Sequence, residues 1–194
     1  MGKIDDILNK NLNKLKPEVG RVLVSSPTLL DMYFRKSLIL ITEISDTDTV
    51  GYMLNKYSGV NVDAIVTDFA IKNVKVFIGG PIGQDRMNFI HTNPNVSDSL
   101  EICEGIYWGG SFEDVEKLMI SGELLPEDIK FFVGYCGWQP DQLNEEIISK
   151  TWIVVKEDAI DDIISDNCKW EDVINNLDDT YKLWKNYPND PFLN

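Results

Sequence analysis

Residues 37–55 read SLILITEISDTDTVGYMLN. The first eight, Ser37–Ile44, are rich in β-branched and apolar side chains, which suits a central strand. Ser45-Asp-Thr-Asp-Thr49 is a polar loop, and Val50–Asn55 resumes as a second strand close enough to form a hairpin with the first. The same run bounds any membrane reading. Ser37–Ile44 is the longest apolar candidate, and Thr42 and Glu43 break it far short of the ~18 residues a span needs.

Working outward, Val22–Ser25 reads as a strand that leaves through the turn Ser26-Pro27. Ahead of it, Ile4, Ile7, Leu8, Leu12 and Leu15 recur at helical spacing, an amphipathic helix stopped by Pro17. Residues 1–19 are therefore an N-terminal helical extension that packs on the domain or on a second copy. Downstream, Val62, Ile65, Val66 and Phe69 give a short helix, and Val74–Ile78 a strand running into Gly79-Gly80-Pro81. Met87–His91, Ser99–Cys103 and Ile106–Trp108 read as short strands. Ser111 with Asp114 forms a capping box ahead of a helix through Met119, closed by Gly122. Phe131–Tyr135 is a strand followed by a turn, Cys136-Gly-Trp-Gln-Pro140. Pro140 opens a helix through Ile148, and Trp152–Val155 is the last strand. Residues 156–194 form a helical tail with Ile160, Ile163, Ile164, Trp170, Val173, Ile174, Leu177, Tyr181 and Trp184 on its apolar face; Tyr187-Pro-Asn-Asp-Pro191 cannot be helix. Strands follow strands, so the class is α+β, one domain over 1–194 with flanking helices.

Charge divides the chain. Residues 1–97 hold ten acids and eleven bases, whereas residues 98–194 hold twenty-two acids and seven bases. A negative field of this size repels phosphate backbones, which argues against nucleic acid as the partner. It leaves two readings open, a solvated face or a docking surface for a basic protein partner. Cys103, Cys136 and Cys168 form no close pair, which fits reduced thiols in a cytosol better than a disulfide framework. MGKIDDILNK lacks the basic head and apolar middle of a signal peptide, and Asp6 stands where myristoylation wants Ser or Thr. The expected location is cytoplasmic, with no membrane segment.

Catalytic chemistry has few carriers. His91 is the single histidine, so any imidazole base must be this residue. Period-two alternation places Phe89 and His91 on one strand face and Ile90 on the other. No G-x-S-x-G elbow exists, Ser26 and Ser111 are explained as turn and cap, and nothing in the sequence lowers the pKa of Cys103 or Cys136. One histidine and three scattered cysteines make a zinc cage improbable, and Asp46-Thr-Asp48 lacks the glycine and distal glutamate of a calcium loop. No metal or cofactor is expected. Gly79-Gly80-Pro81-Ile82-Gly83 follows a strand, where a phosphate loop would sit, yet matches no phosphate-loop pattern. The three arginines, Arg21, Arg35 and Arg86, all fall in the first half, and a guanidinium fork suits carboxylate or phosphate. A small-anion site built from Gly79, Gly80, Arg86, His91 and Arg35 is one hypothesis; internal pairing with Glu43 or Asp85 is its competitor.

Four segments together resemble the YqgE/AlgH family of bacterial proteins. They are Gly20–Pro27 leading to Phe34–Leu38 with Thr42-Glu43; Gly51–Lys56; Phe77–Pro81 through Asp85-Arg86 to Phe89–His91; and Phe132–Trp138 with Gln142-Leu143, Glu146 and Trp152. They are collinear and cover roughly residues 20–155. The resemblance implies an α+β fold with a bifurcated, barrel-like, mostly antiparallel sheet. It also implies a family without an established enzymatic activity, labelled transcriptional regulators by genetic association. The chain departs from the family pattern at Cys136, where Ala or Ser is common, at Asp141, where Gly is common, and at Thr49-Val50, often Gly-Ala.

The expectation is a non-catalytic regulatory or interaction protein whose contact surfaces are its acidic second half and the Trp138 turn with Gln142. The alternative is a small-anion or metabolite binder, or weak enzyme, that uses the Gly79-Gly80 loop, Arg86 and His91.

Overall fold

The computed structural model describes residues 15–159, 162–177 and 179–186. The N-terminal helix expected over residues 4–15 falls almost wholly outside these residues, as do Ile160 and the Tyr187–Pro191 segment. In chain order the strands are β1 Val22–Ser25, β2 Leu38–Ile44, β3 Thr49–Met53, β4 Tyr57–Asn61, β5 Lys75–Ile78, β6 Ile82–His91, β7 Leu100–Cys103, β8 Ile106–Trp108, β9 Ile129–Trp138 and β10 Trp152–Val155. The helices are α1 Phe112–Ser121, α2 Gln142–Ile148, α3 Trp170–Asn176 and α4 Asp179–Lys182.

Residues 37–55 form the expected hairpin. Leu40 pairs with Tyr52 and Ile39 with Met53, antiparallel, with a bulge between Ile41 and Glu43. Leu38 and Leu40 face one core while Ile39 and Ile41 face another, so this strand is apolar at consecutive positions because both of its faces are covered. Each such side chain contributes about 1.5–3 kcal/mol by leaving water.

The sheet runs β10-β1-β2-β3-β9-β6-β8-β7 and branches at β9. On one edge of β9, Cys136–Trp138 pair antiparallel with Thr49–Gly51 of β3, while Phe131–Val133 pair parallel with Val76–Ile78 of β5. β4 then adds to β5. The opposite edge pairs with β6. Gly134 sits between the two halves at φ 69°, and a Cβ there would lie 2.4 Å from the Gly80 carbonyl. Only glycine fits that conformation and that approach. The bifurcated sheet matches the expectation from the resemblance. It curls far enough that a Cβ on Gly20, ahead of β1, would lie 2.3 Å from the Ile102 carbonyl of β7, but it stays open, with β10 and β7 at its ends.

Three cores result. The tail supplies Trp170, Val173, Ile174, Tyr181 and Trp184 against Val22, Leu38, Leu40 and Phe132. α1 supplies Val115 and Met119 against Phe89 and Phe131. α2 supplies Leu143 against Leu23, Ile39, Trp138 and Trp152. The tail is also fixed by Trp170 Nε1, which donates to the Ser25 carbonyl at 3.0 Å, and by the Lys36–Glu171 ion pair at 2.7 Å.

Four local expectations need correction. The segment read as a helix over Val62–Phe69 holds only a 3₁₀ turn, Val62–Ala64, and β4 precedes it. Cys136–Trp138 is not a turn but the end of β9, because β3 supplies a ladder partner that local sequence does not reveal. α2 begins at Gln142, two residues past Pro140. Ser111 Oγ caps α1 by accepting from the Asp114 amide, but the Asp114 carboxylate accepts from the Ser97 amide and hydroxyl instead of closing a box.

Candidate functional site

Among the described residues, hollows lie where β9 ends and α2 begins. Trp138 closes β9 and is only 5% exposed, so its ring forms a floor. Its Nε1 donates to Glu146 Oε2 at 2.9 Å, and Trp152 Nε1 donates to the same oxygen at 2.7 Å. The two indoles meet edge to face, centroids 6.2 Å apart. Gln142 Nε2 donates to Glu146 Oε1 at 2.9 Å. One carboxylate from α2 thereby fixes two tryptophans from two strands and the first residue of its own helix. Asp141 stands ahead of α2 at φ 67°, a left-handed conformation that favours glycine. Aspartate is among the few other residues that tolerate this conformation.

Around this floor lie three hollows. One, with a cavity volume of about 240 Å³, is lined by Leu29, Asp31, Phe34, Ile82, Trp138, Gln142, Glu146 and Trp152 among others. A second of about 630 Å³ is lined by Glu43, Asp48, Tyr52, Ile82, Arg86, Trp108, Tyr135, Trp138 and Gln142 among others. A third of about 570 Å³ includes Lys16, Asp46, Asp48, Gln139 and Asp141. The first two share Ile82, Gly137, Trp138 and Gln142, and the last two share Asp48, Thr49 and Gln139. The first opens beside Cys136 and Trp152 on one face of the sheet, and the second, a groove, beside Tyr52 and Tyr135 on the other. Tyr52 meets the groove as a neutral phenol, since burial pushes its hydroxyl up to about 12.

The residues proposed from sequence as an anion site do not converge. His91 is fully buried on the α1 side, stacked on Tyr107 at 5.7 Å and against Phe89 at 5.8 Å. Its Nε2 donates to the Gly109 carbonyl at 3.1 Å. Burial pushes its pKa below the ordinary value, against the opposing pull of the Gly109 and Asn93 backbones. The Gly79 amide donates to Val133 O at 2.8 Å, and the Gly79 carbonyl accepts from Met53 N at 2.9 Å. A Cβ on Gly80 would lie 2.0 Å from the Tyr135 carbonyl carbon. This loop is glycine-rich so that its backbone can lie on β9. Arg35 is half-buried ahead of β2, at the end of that strand opposite Glu43, and its carbonyl accepts from Lys56 Nζ at 2.6 Å. Arg86 alone of the set lines the groove, where it joins no ion pair or hydrogen bond among the described residues. Arg21 pairs with Glu18 instead.

Trp138 and Gln142, proposed from sequence as contact residues, both line the groove. Sequence reasoning missed the carboxylates of Asp46 and Asp48, which the β2–β3 hairpin carries to the third hollow, and the double acceptor role of Glu146. Burial pushes the Cys136 thiol far above its ordinary pKa and the Cys103 thiol up to about 11. Cys136 Sγ instead donates to the Gly79 carbonyl at 3.2 Å. Among the described residues, no group of His, Cys, Asp and Glu is arranged to hold a metal ion, and no helix is long and apolar enough to cross a membrane.

Residues 22–182 match the family DUF179, described as AlgH-like. A UPF0301 protein of Parabacteroides distasonis is 32% identical over the full length of both chains. Another, from Cytophaga hutchinsonii, is 33% identical over 90% of this chain and 98% of its own. Among solved structures, a Corynebacterium diphtheriae protein superposes with a TM-score of 0.75 at 23% identity, covering 91% of this chain and 96% of that one. The AlgH protein of Pseudomonas aeruginosa superposes with a TM-score of 0.56 at 22% identity, covering 74% and 80%. These two likenesses bear on the fold, which they share. With its sequence matched from β1 into the tail, this chain belongs to the AlgH-like family.

Proposed function

We propose that the protein is a non-catalytic interaction protein with a regulatory role, and that it engages a protein partner through the groove floored by Trp138 and rimmed by Gln142. The observation that carries this reading is that Trp138 and Gln142, both held in place by Glu146, line two neighbouring hollows. A rigid aromatic floor with an exposed amide at its rim is the anatomy of a contact patch, in which buried aromatics anchor and polar groups orient.

The chemistry of the site supports binding over turnover. Its one thiol, Cys136, is held protonated by burial and bonded to a carbonyl. The imidazole of His91 lies in another core. A nucleophile and a base within reach of each other would be needed for acyl or phosphoryl chemistry. Direct DNA binding is disfavoured by a net charge of −14 and by the carboxylates that line the groove.

A photo-crosslinking amino acid placed at exposed Gln142, and separately at exposed Lys117 on α1, tests the reading in cells that express the chain. The expected result is a discrete protein adduct from position 142 that is absent from position 117 and disappears with Ile82→Asp. The same adducts from both positions, or none from 142, would refute it.

A further inference from the structure

We infer that the groove on the Tyr52 face binds a short free peptide, about three residues long with an aromatic side chain, its carboxylate end at Arg86 and its ammonium end at Glu43 and Asp48. The inference goes beyond the docking reading, because its ligand is a small molecule and its test uses the isolated chain.

The topology sorts the charges. Arg86 and Asn88 line the groove from β6, two residues apart and so on one face of that strand. Glu43 and Asp48 line it from the β2–β3 hairpin. β9 runs between them, since β3 pairs with one of its edges along Cys136–Trp138 and β6 with the other at Tyr135 and Val133. The cationic and anionic ends are thereby held two strand spacings, or ~10 Å, apart across the sheet. Opposite charges that share a hollow ordinarily find each other. Here the side chains of Arg86, Glu43 and Asp48 make no ion pair or hydrogen bond among the described residues, and neither does the half-buried amide of Asn88, where lack of a partner is costly. A plain anion is opposed by Glu43 and Asp48, and a plain cation by Arg86; a zwitterion is opposed by neither.

Between the two ends the walls are aromatic. The rings of Tyr52 and Trp108 stand 6.4 Å apart, and Phe132 backs Tyr52 at 5.2 Å, with Tyr135 beside them. Such walls receive an aromatic ring by stacking or edge contact. Trp108 Nε1 is shut off from solvent and reaches no acceptor in hydrogen-bond geometry among the described residues, although its N–H pulls on the Tyr52 hydroxyl. A peptide carbonyl laid across Tyr52 is an acceptor that a turn of the indole would reach. Size sets the length of the ligand. The cavity volume of about 630 Å³ lies in the range of small-ligand sites. A single amino acid carries both charges on one carbon and cannot meet both ends, whereas three residues at about 3.3–3.6 Å each span the gap.

Isothermal titration calorimetry of the full chain with glycyl-phenylalanyl-glycine, and with its N-acetylated and C-amidated forms, tests each end separately. The free tripeptide is expected to bind, and each blocked form to bind about tenfold more weakly. Arg86→Gln is expected to weaken the free and acetylated forms about tenfold and to leave the amidated form within about twofold, because amidation has already removed its partner. E43Q/D48N is expected to do the reverse, weakening the free and amidated forms and sparing the acetylated one. The inference is overturned if the free tripeptide does not bind, if the blocked forms bind as tightly as the free one, or if either variant weakens all three forms alike. None of these results bears on the adduct at position 142, which tests the docking reading.

Discussion

Lys130 is the most unusual charge in the molecule. It lies on β9 at 1% exposure, its Nζ sits 4.2 Å from the centre of the Phe77 ring, and it donates to the Ser165 carbonyl of the tail at 2.6 Å. Burial pushes its pKa from 10.5 down to about 8; Cys168, Asp166 and Asp162 act in the opposite sense, and Lys75 adds slightly to the depression. Below pH 8 the native state holds a poorly hydrated ammonium. As the pH rises, the native state releases this proton first, while the unfolded chain keeps it until about 10.5. Between those values the unfolded state binds more protons, so stability rises with pH. The gap between 10.5 and about 8 corresponds to about 3 kcal/mol, most of it gained by pH 10. Lys130→Met keeps the apolar stem and removes the titration. Urea unfolding followed by tryptophan fluorescence, at pH 7, 8, 9 and 10, should show wild type gaining about 2–3 kcal/mol relative to the variant across the series. Cys168→Ser in both backgrounds removes the neighbouring thiol. A difference that stays flat across the series would mean that the ammonium is hydrated in the folded protein, and the reasoning would fail.

Two further outcomes follow from the same geometry. Glu146→Ala strips the acceptor from two indole N–H groups, each donating at 2.9 Å or less. The expected loss is about 2–4 kcal/mol of stability, read from urea midpoints, because orphaned buried donors cost about 1–3 kcal/mol each; Glu146→Gln, which keeps an oxygen, should recover part of it. His91, buried and depressed in pKa, makes the native state bind fewer protons than the unfolded chain at acid pH. Wild-type stability should therefore fall below about pH 6.5 relative to His91→Gln, and parallel curves between pH 7 and 5 would contradict its burial as a neutral group.

The strands were legible in the sequence where both faces are buried and the apolar run is unbroken. Leu38–Ile41 and Val22–Val24 alternate between two cores, and β-branched runs register that locally. β4 was not legible. Tyr57-Ser-Gly-Val-Asn61 is an exposed edge strand with Gly59 at φ 87°, and it holds its shape through pairing with β5 rather than by its own pattern. The end of β9 was misread for the same reason: Gly137 and Pro140 signal a turn, while the β3 ladder that keeps Cys136–Trp138 extended lies 85 to 89 residues away in sequence. At the site, Trp138 and Gln142 stood out in the sequence as an aromatic residue and a nearby amide around Pro140, and the structure puts one at the end of β9 and the other at the start of α2. The grouping of His91, Arg86, Arg35 and the glycine loop rested on their shared place in the first half of the chain, and the sheet separates it. Glu146 shows the limit most clearly. Its partners lie eight residues before and six after, on different elements, a spacing with no local meaning until α2 folds back over the sheet.

Gly134 divides β9 into two halves that serve as spines for different cores, yet the strand runs on from one to the other, and β6 pairs with it along Ile129–Val133 and again at Tyr135. Neither half can be peeled away without tearing that shared seam. The α1 side and the α2 side are therefore welded into a single melting unit, and heat should dissolve them together in one transition rather than in turn.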